Sequence, residues 1–236
     1  MYNKLFAANY DDLTANFSHK RAAKFIAKQI KKYCKTNGKE KPCLLDVGCG
    51  TGKIAGFLCC KGFQLVAADP SPDMLSIAQN RLQGKDILFI NQSAENLDLY
   101  GTVASAYSTL DVLSHIVDKE KFEKAINQIA FFIDDGGLFI FDVNTVYKHR
   151  HTLNGGDFAY KSAQWQTILK EDNTVENTIS INGTQTEVIT ERAYDESEIR
   201  ETLTQSGLKV ISTHDGYSRK SPTEKTERLV FVTQKI

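Results

Sequence analysis

The sequence predicts a doubly wound α/β fold: a seven-stranded, mostly parallel sheet with helices on both faces and an antiparallel β insertion after the fifth strand. Three observations predict it. From Leu44 to Phe141 short apolar runs alternate with longer stretches of helical periodicity, the pattern of βαβ units. At Leu44-Leu45-Asp46-Val47-Gly48-Cys49-Gly50-Thr51-Gly52 a buried run passes straight into a glycine-rich turn and a helix. After Phe141 the pattern changes to two-residue alternation before a last helix and two more strands.

Taken in order, the residues before Gly38 predict an N-terminal helix, with Asn37-Gly38 as its stop because glycine accepts the left-handed conformation at a helix end. Strands are expected near Cys43 to Val47, Phe63 to Ala68, Asp86 to Asn91, Val103 to Tyr107 and Gly137 to Phe141. Between them helices are expected near Gly52 to Cys60, Pro72 to Leu82 and Lys119 to Ile133, the last with Phe122, Ile126, Ile129 and Ala130 at helical spacing. Residues 158 to 192 read as a meander, with turns at Asp172-Asn173 and Asn182-Gly183. A helix capped by Asp195 or Ser197 then leads through Gly207 to strands near Leu208 to Thr213 and Arg228 to Thr233. The domain reading is a helical cap over 1–38, an α/β domain over 39–148 and 194–236, and a β-rich insertion over 149–193 that serves as a lid or dimer surface.

Composition narrows the partners. Lys plus Arg and Asp plus Glu both number 29, so no global positive field exists to attract a phosphate backbone, which argues against nucleic acid. The local exception is the run Lys20, Arg21, Lys24, Lys28, Lys31, Lys32, Lys35, Lys39 and Lys41. It reads either as the solvated side of an amphipathic helix whose apolar side is Ala23, Phe25, Ile26 and Ile30, or as a docking patch for RNA or an acidic partner. Cys34, Cys43, Cys49, Cys59 and Cys60 make an odd set without metal-ligand spacing, as expected of reduced packing residues in a cytoplasmic protein, and no metal is expected. Met1-Tyr2-Asn3-Lys4 lacks the apolar run of a signal peptide, and no stretch approaches the roughly 18 apolar residues of a membrane span, so no membrane anchor is expected.

Three ligands compete for the glycine turn. A phosphate loop needs glycine where this chain has Val47 and Ser or Thr where it has Ile54. A dinucleotide fingerprint needs its third glycine where Lys53 stands. Asp46, at the strand end before the first glycine, suits a cationic ligand better than a pyrophosphate. S-adenosylmethionine carries an ammonium and a sulfonium and no phosphate. A second signal is Asp69-Pro70-Ser71-Pro72-Asp73-Met74, where the acid ending the second strand is able to accept both ribose hydroxyls, and Ser71 with Pro72 opens the next helix. Met74 suits an adenine wall, and Ser93-Ala94-Glu95 follows the third strand where the adenine edge would lie.

With L-D-V-G-C-G-T-G, then A-D-P-S-x-x-M-L, then S-A-E-N on the page, the chain resembles the class I S-adenosylmethionine-dependent methyltransferases, a Rossmann-like family, over about Tyr10 to Asn144. The resemblance implies that Asp46, Gly48, Cys49 and Gly50 surround the methionine part, that Asp69 with Pro70 takes the ribose, and that Met74, Ser93, Ala94 and Glu95 surround the adenine. It also implies that Tyr107 and Ser108 line the sulfonium side; Tyr10, on the N-terminal helix, is a further candidate to close over the site. A narrower likeness is to bacterial small-molecule enzymes that methylate amino groups of nucleotide-linked sugars, carried by Tyr10-Asp11, Phe141-Asp142-Val143-Asn144 and the meander.

The function expected is therefore methyl transfer to a nitrogen or oxygen of a small acceptor, with a homodimer as the candidate assembly. His115 is the candidate general base, and Asn144 with Tyr147 the candidate acceptor contacts at the carboxyl end of the fifth strand. His149-Arg150-His151 would meet an acceptor phosphate or carboxylate. The rivals are an RNA methyltransferase docking through the Lys-rich helix, an NAD-dependent dehydrogenase and a non-catalytic binding module.

Overall fold

A computed structural model describes residues 4–34, 41–160 and 163–236. The N-terminal region forms two helices, α1 (Lys4–Leu13) and α2 (His19–Tyr33), where the sequence reading had one. Its expected stop at Asn37-Gly38 lies outside the described residues. In α2 the buried positions Ala22, Ala23, Ile26, Ala27 and Ile30 recur at helical spacing, while Lys20, Lys24, Lys28, Lys31 and Lys32 are exposed.

The central sheet comprises β1 (Cys43–Val47), β2 (Gln64–Ala68), β3 (Ile87–Ile90), β4 (Val103–Ser108), β5 (Ile133–Asn144), β10 (Leu208–Asp215) and β11 (Arg228–Lys235). Their spatial order is β10-β11-β5-β4-β1-β2-β3. All pairs from β3 to β5 are parallel, and β11 runs antiparallel to both β5 and β10. The fold class read from the sequence is the one observed. The fifth strand begins earlier than its apolar run, because Ile133 pairs with Val103 across a register shift.

Successive side chains on a strand face opposite sides, and this alternation sorts the core. Leu138, Ile140, Val230 and Val232 join α2 and α3 (Lys53–Cys59) on one face. Phe139, Phe141, Leu229 and Phe231 join α5 (Lys119–Phe132) and α7 (Glu196–Gln205) on the other. Helix starts follow local chemistry. The Ser71 hydroxyl accepts the Met74 amide at the start of α4 (Pro72–Arg81), and Asp195, not Ser197, caps α7 in a capping box with Glu198.

After β5 come a short helix, α6 (Val146–Lys148), and a wide turn, His149–Leu153. A second, wholly antiparallel sheet follows: β6 (Asp157–Tyr160), β7 (Ala163–Leu169), β8 (Thr174–Ile181) and β9 (Thr184–Arg192), in that order. Asn182 and Gly183, at φ 53° and 75°, make the two-residue left-handed turn that a tight hairpin requires. Phe6 and Ala7 of α1 pack with Met74 of α4 and with Ala163, Ile179 and Ile181 of this sheet. Thus α1 ties the insertion to the edge of the α/β layer where β1 and β2 end.

Candidate functional site

The turn after β1 is built by backbone. Gly48 has φ 74°, and a Cβ there would lie 2.5 Å from Val112 Cγ1 and Cγ2, so glycine is required twice over, by conformation and by space. The amides of Gly48 and Cys49 donate to Ala68 O at 2.8 and 2.9 Å, pinning the turn to the end of β2. Gly50 N donates to Asp69 Oδ2 and Ser71 N to Asp69 Oδ1, both at 2.8 Å. Asp69 is therefore gripped at both oxygens. Burial raises its carboxyl above the usual range, and the two amide bonds oppose that rise.

Asp46 stands behind this turn. It is buried, and its Oδ2 accepts the Tyr107 hydroxyl at 2.8 Å. Burial pushes its carboxyl up to about 7, against the Tyr107 hydrogen bond and with help from the nearby Asp69 charge.

Gly48, Gly50, Asp69, Pro70, Met74, Ser93, Ala94, Glu95, Tyr10 and His115 all border one cavity of about 520 Å³. Six residues expected at the cofactor or the acceptor do not. Asp46 and Tyr107 bond to each other behind the cavity wall, because the alternation of β4 turns the Tyr107 ring into the core shared with α2 and α3. Cys49 packs on Ala67 and Leu75. The Ser108 hydroxyl donates to Val47 O at 2.9 Å. Asn144 accepts from Lys148 Nζ at 2.8 Å, while the Tyr147 ring sits against His151 at 4.7 Å, and neither Asn144 nor Tyr147 borders the cavity. The basic cluster is also elsewhere: Arg150 and His151 are exposed, and His149 is buried with its imidazole pushed down to about 4 by burial, hence uncharged at neutral pH.

Sequence reasoning missed a second group of wall residues. Leu110, Val112 and Ile116 come from the loop after β4, Ser71 and Gln92 from the ends of α4 and β3, and Glu187, Val188, Ile189 and Thr190 from β9. Ser71 had been read only as a cap; for the β9 residues no local signal existed beyond strand alternation.

The loop after β4 is held by charge. Leu110 and Asp111 take left-handed conformations, φ 64° and 61°, which cost non-glycine residues about 1–3 kcal/mol each. Asp142, buried at the end of β5, accepts both their amides, at 3.1 and 3.0 Å, as well as the Tyr217 hydroxyl and the Arg228 guanidinium. Arg228 also pairs with Asp111 at 2.8 Å. This network fixes the segment that carries Val112 to Gly48 and His115 to the cavity.

Helix α1 is latched to the same place. Asp11 accepts the Thr51 hydroxyl at 2.7 Å and pairs with Arg81 and with Lys53, the latter at 3.4 Å. Tyr10 is thereby set over Gly50, and burial, with Asp69 and Asp111 nearby, keeps its phenol protonated. Among the described residues no lysine or arginine borders the cavity, the lysines of α2 included.

A glycine cradle without Cβ atoms, a buried acid at the end of the second strand and no basic wall fit a phosphate-free, positively charged nucleoside. Together with the sheet order this is the arrangement that the resemblance to the S-adenosylmethionine-dependent methyltransferases implies. Residues 44–137 match the family described as "Methyltransferase domain". Across its length the chain is 26% identical to a protein of Geobacillus sp. (strain WCH70) whose naming as a methyltransferase is itself inferred, with 98% of each chain covered. A crystal structure of an S-adenosylmethionine-dependent methyltransferase from Clostridium acetobutylicum ATCC 824 is 29% identical and superposes with TM-score 0.85 over 98% of this chain and 97% of that one. S-adenosylmethionine-bound CalS10, an amino pentose methyltransferase from Micromonospora echinaspora, shares the fold at TM-score 0.72 and 15% identity over 99% and 98% of the two chains. Residues 44–137 thus form a methyltransferase domain, the chain along its length is similar to S-adenosylmethionine-dependent methyltransferases, and S-adenosylmethionine is the cofactor.

Proposed function

We propose that the chain transfers a methyl group to a nitrogen or oxygen of a small-molecule acceptor under a roof formed by α1 and β9. The observation that carries this reading is the shape of the cavity. About 520 Å³ lies within the range of a site for one drug-sized ligand, so beside a bound cofactor only a compact acceptor group has room. Bound S-adenosylmethionine supplies an activated methyl whose carbon–sulfur bond breaks with its electron pair passing to sulfur. In this reading the Gly48–Gly50 backbone takes the methionine part, Asp69 accepts the ribose hydroxyls, and Met74 with Ser93 to Glu95 flanks the adenine.

Residues 149–193 act as a lid over the acceptor, with the outer face of the insertion available for pairing in a homodimer. Ile116 and Ile189, both half-buried, limit water at the site, so the alignment of acceptor and methyl does most of the work. His115 receives the proton that the acceptor atom gives up. Five free thiols accord with a cytoplasmic setting.

Calorimetry with S-adenosylmethionine and S-adenosylhomocysteine, then a metabolite screen with a labelled methyl donor, tests the reading. Label recovered only in RNA or protein would overturn the small-acceptor assignment.

A further inference from the structure

The insertion reaches the cavity with more than apolar cover. On β9, Glu191 lies two residues beyond Ile189, hence on the same face as that cavity residue. Its Oε1 stands 3.6 Å from Nδ1 of His115. Its Oε2 accepts from Asn177 Nδ2 at 3.2 Å, and Asn177 Oδ1 accepts from the buried Thr167 hydroxyl at 2.7 Å. A line of polar contacts therefore crosses β7, β8 and β9 and ends on the imidazole proposed as the base.

We propose that Glu191 is a positioning residue that holds His115 in its Nδ1–H tautomer, leaving Nε2 as the nitrogen that receives the acceptor's proton. The inference rests on the proposed role of His115. A neutral imidazole donates from one nitrogen and accepts at the other, so a carboxylate beside Nδ1 decides which nitrogen carries the lone pair. When the acceptor's nitrogen or oxygen gains the methyl and releases its proton to Nε2, the imidazole becomes imidazolium, and the Glu191 carboxylate offsets that charge. Asn177 and Thr167 keep the carboxylate from turning away. The 3.6 Å separation is loose, as such pairs often are before substrate binds.

The surroundings agree with a carboxylate that works above neutral pH. Burial, then repulsion from Asp111, pushes the Glu191 carboxyl up to about 7, while the Asn177 hydrogen bond and the charges of Lys148 and Arg228 oppose the rise. Burial pushes the His115 imidazole down to about 4. Above pH 7 the pair is then a carboxylate beside a neutral imidazole.

The test is a nitrogen-15 to proton correlation spectrum of the histidine-labelled protein at pH 8, with His115 assigned among five histidines by His115→Gln. The expected result is the Nδ1–H tautomer in the wild type and a shift toward Nε2–H in Glu191→Ala. An Nε2–H tautomer in the wild type, or an unchanged tautomer in folded Glu191→Ala, overturns the proposal. The wild-type tautomer is read without Glu191→Ala, so the proposal can be overturned even where that variant does not fold. Calorimetry with S-adenosylmethionine on the same samples keeps the two readings apart: loss of binding in the wild type sinks the proposed function and leaves the tautomer measurement intact.

Discussion

The two walls of the cavity are built differently. On the cofactor side, the backbone amides of Gly50 and Ser71 grip Asp69 and that of Gly48 is pinned to Ala68, and residues within 46–52, 67–75 and 91–95 supply nearly everything. On the acceptor side, Tyr10, Leu110, Val112, His115, Ile116 and the β9 residues arrive from three distant stretches, the loop after β4 being held by buried side-chain charges. One wall is fixed by local backbone geometry. The other exists only when the whole chain has folded.

The largest effects should follow from breaking the backbone-built wall. Asp69→Ala removes the acceptor of two amides and of the ribose hydroxyls, and should weaken S-adenosylmethionine binding by about a hundredfold, about 3 kcal/mol, in calorimetry. An affinity within a few-fold of wild type would mean that Asp69 shapes the loop and does not hold the ligand. Gly48→Ala should come next, costing about 2 kcal/mol of stability in denaturant unfolding, through the left-handed backbone and the clash with Val112 at 2.5 Å. Adding Val112→Ala relieves the clash and not the backbone cost, so the double variant should recover part of the loss. No recovery would show that the two walls do not meet at this contact.

The same contrast explains what could be read in the sequence. The parallel sheet was legible because each strand carries its own apolar run, and the cradle because the glycines, Asp69 and the Ser71-Pro72 helix start are neighbours in sequence. Tyr107 and Ser108 were placed at the ligand because strand ends usually serve it, yet the pleat of β4 turns the Tyr107 ring inward toward Asp46. Asn144 and Tyr147 failed for a related reason: the Asp142–Arg228 network and α6 occupy that end of β5. Glu187 to Thr190 reach the cavity only through the packing of the insertion, which depends on α1. Periodicity within a segment records none of this.

A third prediction separates the walls by pH. Asp46 behind the cofactor wall and Glu191 beside the acceptor wall are both pushed up to about 7 by burial. A folded-state value above the ordinary carboxyl range means that each group favours folding most when protonated, below about pH 4, and that this contribution is lost as pH rises through 7. A cationic ligand favours the ionised form of Asp46. S-adenosylmethionine affinity should therefore rise with pH up to about 7, by at most about tenfold per unit for one linked proton, and level off above it. Asp46→Asn should flatten that slope, whereas Glu191→Gln should leave the affinity profile alone and alter only the profile of methyl transfer. A flat wild-type affinity between pH 5 and 8 would show that Asp46 is too well shielded behind the loop to feel the ligand.

The smallest effect belongs to the segment that joins the walls. Asp11 is bonded to Thr51, Lys53 and Arg81, all on the cofactor side, while its neighbour Tyr10 borders the cavity and Phe6 packs with the insertion sheet. These ion pairs are about a third exposed, 28% to 32%, where such contacts are each worth only about 0.2–1 kcal/mol. Asp11→Ala should thus weaken S-adenosylmethionine binding about threefold to fivefold, more at low salt than at high. Were α1 a passive cover, the loss would stop at the cofactor. Because Tyr10 and Phe6 ride on the same helix, the variant should also increase hydrogen exchange in β9, whose Glu187 to Thr190 face the cavity from the far side. Unchanged exchange there would mean that the insertion holds its position without α1, and that the two walls fold as independent parts.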